Sequence, residues 1–134
     1  PVHALLLQET QIPRWRQART RTDFADAHGP DGSRTGWNIG FGANTAVRAG
    51  TATTATGGVM CAARAPAPLH IPEMDEPTRV LHDSGRWSEC AVPVNNGEDL
   101  VYMASFYGIP DAGRDPAICK ENEALIAAAV MRMI

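Results

Sequence analysis

Two residues stand where a side chain could do chemistry. Glu9 follows the apolar run Ala4-Leu5-Leu6-Leu7 and Gln8, so a carboxylate leaves the C-terminal end of what reads as a buried strand. Tyr107 leaves a second strand-like run, Leu100 to Phe106, and opens the turn Tyr107-Gly108-Ile109-Pro110. A carboxylate brings acceptor oxygens and a phenol brings a compact neutral donor. Type alone assigns neither a role, because a glutamate can simply be the polar end of a strand and a tyrosine a half-buried strand-end aromatic. A third feature is charge. Arg14, Arg16, Arg19 and Arg21 crowd the start of the first helical segment, where they could contact a nucleic-acid backbone, although a charge run is commonly just a solvated face. Cys61, Cys90 and Cys119 form no Cys-x-x-Cys pair, and His3, His28, His70 and His82 have no metal-ligand spacing, so no zinc motif exists. An odd cysteine count suits a reducing compartment.

The elements that must position these residues follow from pattern. Residues 2–7 predict a strand buried on both faces. Pro13 suits the first turn of a helix in which Trp15, Ala18, Thr22 and Ala25 share a face, and His28-Gly29-Pro30-Asp31-Gly32 stops it. Strands are expected at 37–41 and, after Gly57-Gly58, at 59–63, with the Gly/Ala/Thr-rich stretch 42–56 as a loop between them. Four prolines within 65–77 argue against regular structure there. Residues 79–81 and 87–94 read as strands, the second with Cys90, Val92 and Val94 on one face. Asn95-Asn96-Gly97 predicts a hairpin turn, since Asn and Gly tolerate positive φ. Asp115-Pro116 predicts a capped helix start, with Ile118, Leu125, Ile126, Ala129, Val130 and Met133 as its core stripe. The fold class is α/β (α+β), with a mostly antiparallel central sheet flanked by helices. At 134 residues the chain has the length of one domain, and 44% hydrophobic residues with a net charge of −3 describe a globular chain. Collagen, coiled-coil and disulfide-knot classes are excluded. No apolar run reaches the ~20 residues of a membrane helix, and an intracellular location is expected.

Three motifs, in order, resemble the endonuclease/exonuclease/phosphatase superfamily. Leu5-Leu6-Leu7-Gln8-Glu9-Thr10 is similar to its "LQET" motif, Gly57-Gly58-Val59-Met60 to its "GGVA" strand, and Leu100 to Gly108 to its "vvsvYgP" strand, with Asn122 and Leu125 on the helix that follows. The resemblance implies half of a four-layered α/β sandwich of the DNase I-like type. It implies that Glu9 is a metal ligand holding Mg²⁺ or Mn²⁺, and that the Tyr107 hydroxyl contacts the scissile phosphate. Hard divalent cations prefer carboxylate and water oxygens, which suits such a role. The implied reaction is metal-dependent hydrolysis of a phosphodiester, with nucleic acid (DNA) as partner and Arg14 and Arg16 as candidate backbone contacts. The Gln-Glu-Thr-Gln and Tyr-Gly-Ile-Pro variants are most similar to endonuclease domains joined to reverse transcriptases in non-LTR retrotransposons, which implies a nuclear location. The family's Asp-x-Asn and closing Asp-His pair have no counterpart here. Residues 1–134 are therefore expected to be an N-terminal half domain, truncated at both ends. Such a half is expected to be inactive without its C-terminal half and to expose Val, Phe and Trp side chains of its central strands. The alternative is a noncatalytic or degenerate module that keeps only the fold.

Overall fold

The computed structural model describes residues 3–43, 58–109 and 112–134. Val2, Gly57, Pro110 and residues 44–56, read above as strand, strand opening, turn and loop, lie outside the described residues. In chain order the elements are β1 (Ala4–Gln8), α1 (Arg14–Ala25), β2 (Trp37–Phe41), β3 (Val59–Arg64), α2 (Glu76–Asp83), β4 (Trp87–Val94), a single 3-10 turn (Asn95–Gly97), β5 (Asp99–Phe106) and α3 (Pro116–Met133). The fold is α+β with antiparallel sheets. One sheet has the order β1-β3-β2 and the other pairs β4 with β5.

β3 is the central strand, and its Val59-Met60-Cys61-Ala62-Ala63 run is buried throughout. A strand covered on both faces needs no polar alternation. Met60 and Ala62 pack with Ile39 and Phe41, joined by Leu5, Ile12 and Phe24. Cys61 and Ala63, pointing the other way, meet Cys90 and Val92 of β4, as the alternation of side chains along a strand requires. Small residues at this contact bring the sheets close. A Cβ added to Gly42 would lie 2.3 Å from the Trp87 carbonyl oxygen, so only glycine fits there. Polar atoms in the contact are paired: Cys61 Sγ donates to the Ser88 carbonyl at 3.0 Å, Ser88 Oγ to that of Gly40 at 3.2 Å, and Ser105 Oγ to that of Leu7 at 3.1 Å. Of the side chains expected to be exposed, Phe41 and Trp87 are buried, whereas Val101 of β5 stands exposed.

Several expectations are corrected. The first apolar run forms an edge strand rather than one buried on both faces, and Leu6 is 46% exposed. An apolar run cannot by itself distinguish a central strand from an edge. Helix α1 turns Phe24 and the preceding Ile12 inward and leaves Trp15 64% exposed, so the expected Trp15–Ala18–Thr22–Ala25 face is not the packed one. Residues 79–81 are helical, within α2. Asp75 caps that helix by accepting from Thr78 N at 2.9 Å, and Pro77 sits in its first turn, where a missing N–H costs nothing. In α3, Leu125 and Ala129 pack with Leu81 and Trp87, whereas Ile126, Val130 and Met133 are exposed. Other expectations hold. Asn95 and Asn96 adopt φ of 49° and 59° at the hairpin, and Asp115 caps α3 through Ala117 N at 2.8 Å.

Candidate active site

Antiparallel pairing sets the C-terminal ends of β1 and β2 beside the N-terminal end of β3, and the start of β4 beside the end of β5. The two sets of strand ends are tied together. Gln8 Nε2 donates to the Phe106 carbonyl at 2.5 Å, and Gly42 lies against Trp87. This shared rim brings Glu9 and Tyr107 into contact across 98 positions of sequence, the Tyr107 hydroxyl donating to Glu9 Oε1. Gln8 thus braces the rim.

Glu9 sits in left-handed backbone with φ 51°, as does Gln11 with φ 50°. For an L-residue that conformation costs roughly 1–2 kcal/mol. Strain of this kind persists only where surrounding structure enforces it, and it concentrates at functional sites. Here Thr10 N is held by the Gly58 carbonyl at 3.1 Å. Tyr107 is anchored from the start of β4: its N–H donates to the Arg86 carbonyl at 2.9 Å. The Arg86 guanidinium lies 5.5 Å from the Tyr107 ring centroid and donates to the Gly108 carbonyl at 2.7 Å. Behind the turn, Asn122 Oδ1 accepts from Ile109 N at 2.8 Å, and a Cβ on Gly108 would press against that same oxygen at 3.1 Å. The hydrogen bond to Glu9 raises the Tyr107 phenol above its ordinary value, with burial and the Glu9 charge adding to it and Arg86 opposing. The phenol therefore stays protonated and able to donate at neutral pH.

The positioning roles of Arg86 and Asn122 were missed in sequence. The Arg86-Trp87 junction and the Asn122 helix position were the available signals. Of the arginines, Arg14 lines a cleft between α1 and α2. Arg16 is exposed, its guanidinium 5.6 Å from the Trp15 ring centroid. The structure does not bring Arg16 to the rim contacts of Glu9 and Tyr107. Tyr102 is 62% exposed.

Among the described residues, no group of three or more His, Cys, Asp or Glu side chains could hold a metal ion. Glu9 offers one carboxylate, short of the near-octahedral oxygen set that Mg²⁺ demands. The described donors alone do not fit that ion. Among the described residues, no helix is long and apolar enough to cross a membrane. In comparisons with known proteins, no family model, curated protein or solved structure matches this chain.

Proposed function

We propose that the Glu9–Tyr107 rim is one wall of a phosphodiester-hydrolysing site acting on nucleic acid, within a four-layered DNase I-like sandwich of which this chain supplies part. The observation that carries the reading is the hydrogen bond from Tyr107 to Glu9, which joins the "LQET"-like and "Tyr-Gly"-like motifs at one exposed point. In this reading the protonated Tyr107 hydroxyl turns from Glu9 to a non-bridging phosphate oxygen, while Arg86 stays against its ring and Asn122 holds the turn behind it. Glu9 would offer acceptor oxygens to Mg²⁺ or Mn²⁺, which would polarise the phosphate, and the other oxygen ligands and the base would have to come from residues beyond the described ones. A single carboxylate equally favours a second reading, a noncatalytic module that keeps the rim without the chemistry.

The test begins with the nucleotide sequence after the Ile134 codon. An in-frame continuation bearing Asp-x-Asn and Asp-His is expected, and its product should nick supercoiled plasmid with Mg²⁺. Glu9→Gln should lower that rate by about 10²-fold or more, on the scale of losing an essential catalytic group, and residues 1–134 alone should not nick. Cleavage that survives Glu9→Gln at full rate, or nicking by residues 1–134 alone, overturns the reading. A continuation without those residues selects the noncatalytic module.

A further inference from the structure

The cleft beside α1 has a volume of about 460 Å³ and is lined by Arg14, Gln17, Arg21, Gly42, His82 and Asp83, among others. It opens on the same strand-end rim as Glu9. α1 begins where β1 has ended, Gly42 follows the end of β2, and α2 ends at Asp83 just before β4 begins. Its cations differ from four other arginines of the chain. Arg19, Arg34, Arg79 and Arg132 are each neutralised by an acid, at 2.9, 3.0, 3.6 and 2.7 Å. Arg14 has no hydrogen-bond or ion-pair partner among the described residues. Arg21 donates through Nε to the Ile39 carbonyl at 3.4 Å and lies 5.0 Å from the Phe41 ring centroid, which fixes its direction. Among the described residues no acceptor meets its terminal nitrogens. His82 is braced, with Nε2 at 3.3 Å from the Phe41 carbonyl and Nδ1 at 3.5 Å from Asp83, the only acid lining the cleft among the described residues.

An arginine held by its Nε with its outer nitrogens unspent, beside a second unpaired arginine, is suited to bidentate recognition of phosphate. We propose that this cleft, through Arg14 and Arg21, is a track for the phosphodiester backbone of a nucleic-acid strand flanking the phosphate that meets Glu9 and Tyr107. The proposal rests on the phosphodiesterase reading of the rim and names the surface that would hold the substrate there. It separates the arginines of one helix: Arg14 and Arg21 bind, while Arg16 and Arg19 do not.

Fluorescence anisotropy of a short labelled DNA duplex with residues 1–134, in EDTA, tests this without metal or turnover. Arg14→Glu should weaken binding about tenfold and reduce the slope of log affinity against log salt by about 0.9, the loss of one phosphate contact. Arg14→Lys should largely restore binding. Arg19→Glu makes the same change in net charge on the outer face and should alter affinity less than about twofold. Inorganic phosphate, matched in ionic strength with chloride, should not displace the duplex. Equal losses from Arg14→Glu and Arg19→Glu, no loss from either, or full displacement by phosphate overturns the track. Because turnover is not read, Arg14-dependent binding with Glu9-independent cleavage refutes only the catalytic reading. Glu9-dependent cleavage with Arg14-independent binding refutes only the track.

Discussion

Glu89 and Glu9 each accept a hydrogen bond from an aromatic side chain in a different setting. Glu89 is 7% exposed on β4, where Trp87 Nε1 reaches Oε2 at 3.0 Å and Arg132 closes on both oxygens at 3.0 and 2.7 Å. Arg132 also donates to the Glu73 carbonyl at 2.9 Å, so this pair ties α3 to the second sheet and to the segment before α2. Its contact with Glu89 raises the Arg132 guanidinium above its ordinary value. Glu9 is exposed, strained in its backbone and, among the described residues, met by one neutral phenol. A buried carboxylate must have its charge compensated, or the chain must bear its desolvation. An exposed carboxylate with a single neutral donor keeps lone pairs for something else. Glu89 holds the fold together, and Glu9 is available for chemistry.

The largest expected effect is on the buried side of this contrast. Arg132→Ala strands Glu89 and should cost about 3 kcal/mol of stability, read from the shift of the urea midpoint. Asn122→Ala removes the support of the Tyr107 turn, leaves Ile109 N unpaired and should cost about 1 kcal/mol by the same measurement. Glu9→Gln keeps the shape of the side chain and should change stability by less than about 0.5 kcal/mol, as surface substitutions do. A loss from Glu9→Gln equal to that from Arg132→Ala would collapse the contrast. Glu9→Gly separates strain from charge. It relieves the left-handed backbone but frees the unfolded chain, so the net change should stay within about 1 kcal/mol.

Local chemistry in the sequence marked much of the fold. Asp115-Pro116 and Asn95-Asn96-Gly97 each carry their own geometric instruction, a cap and a left-handed turn, and both appear as read. Asp75-Glu76-Pro77-Thr78 carried the same kind of instruction for α2 and was masked by the density of prolines before it. Which of two apolar runs lies at a sheet's centre depends on what covers it, so β1 and β3 could not be ranked from their residues. The site was legible as two separate residues, Glu9 and Tyr107. Their contact depends on Gln8 reaching Phe106 and on glycine at position 42, where two sheets meet, and no local pattern encodes that. Arg86 and Asn122 were visible as residues, but they act on the backbone carbonyl of Gly108 and the amide of Ile109, partners that residue type does not announce.

The pairing of the two motifs has a direct spectroscopic reading in the ionisation of the phenol. The chain has two tyrosines, so Tyr102→Phe leaves the Tyr107 phenolate as the sole signal in an ultraviolet pH titration. Because Glu9 raises the folded-state value above 10.0, Tyr107 binds its proton more tightly in the folded than in the unfolded chain. Its contribution to stability is therefore full below the unfolded value and is lost as pH rises through the folded one. The account predicts that Tyr107 ionises above the ordinary tyrosine value and that Glu9→Gln moves its midpoint down. A midpoint at the ordinary value, unmoved by Glu9→Gln, would contradict it, because the two motifs would then not share a site.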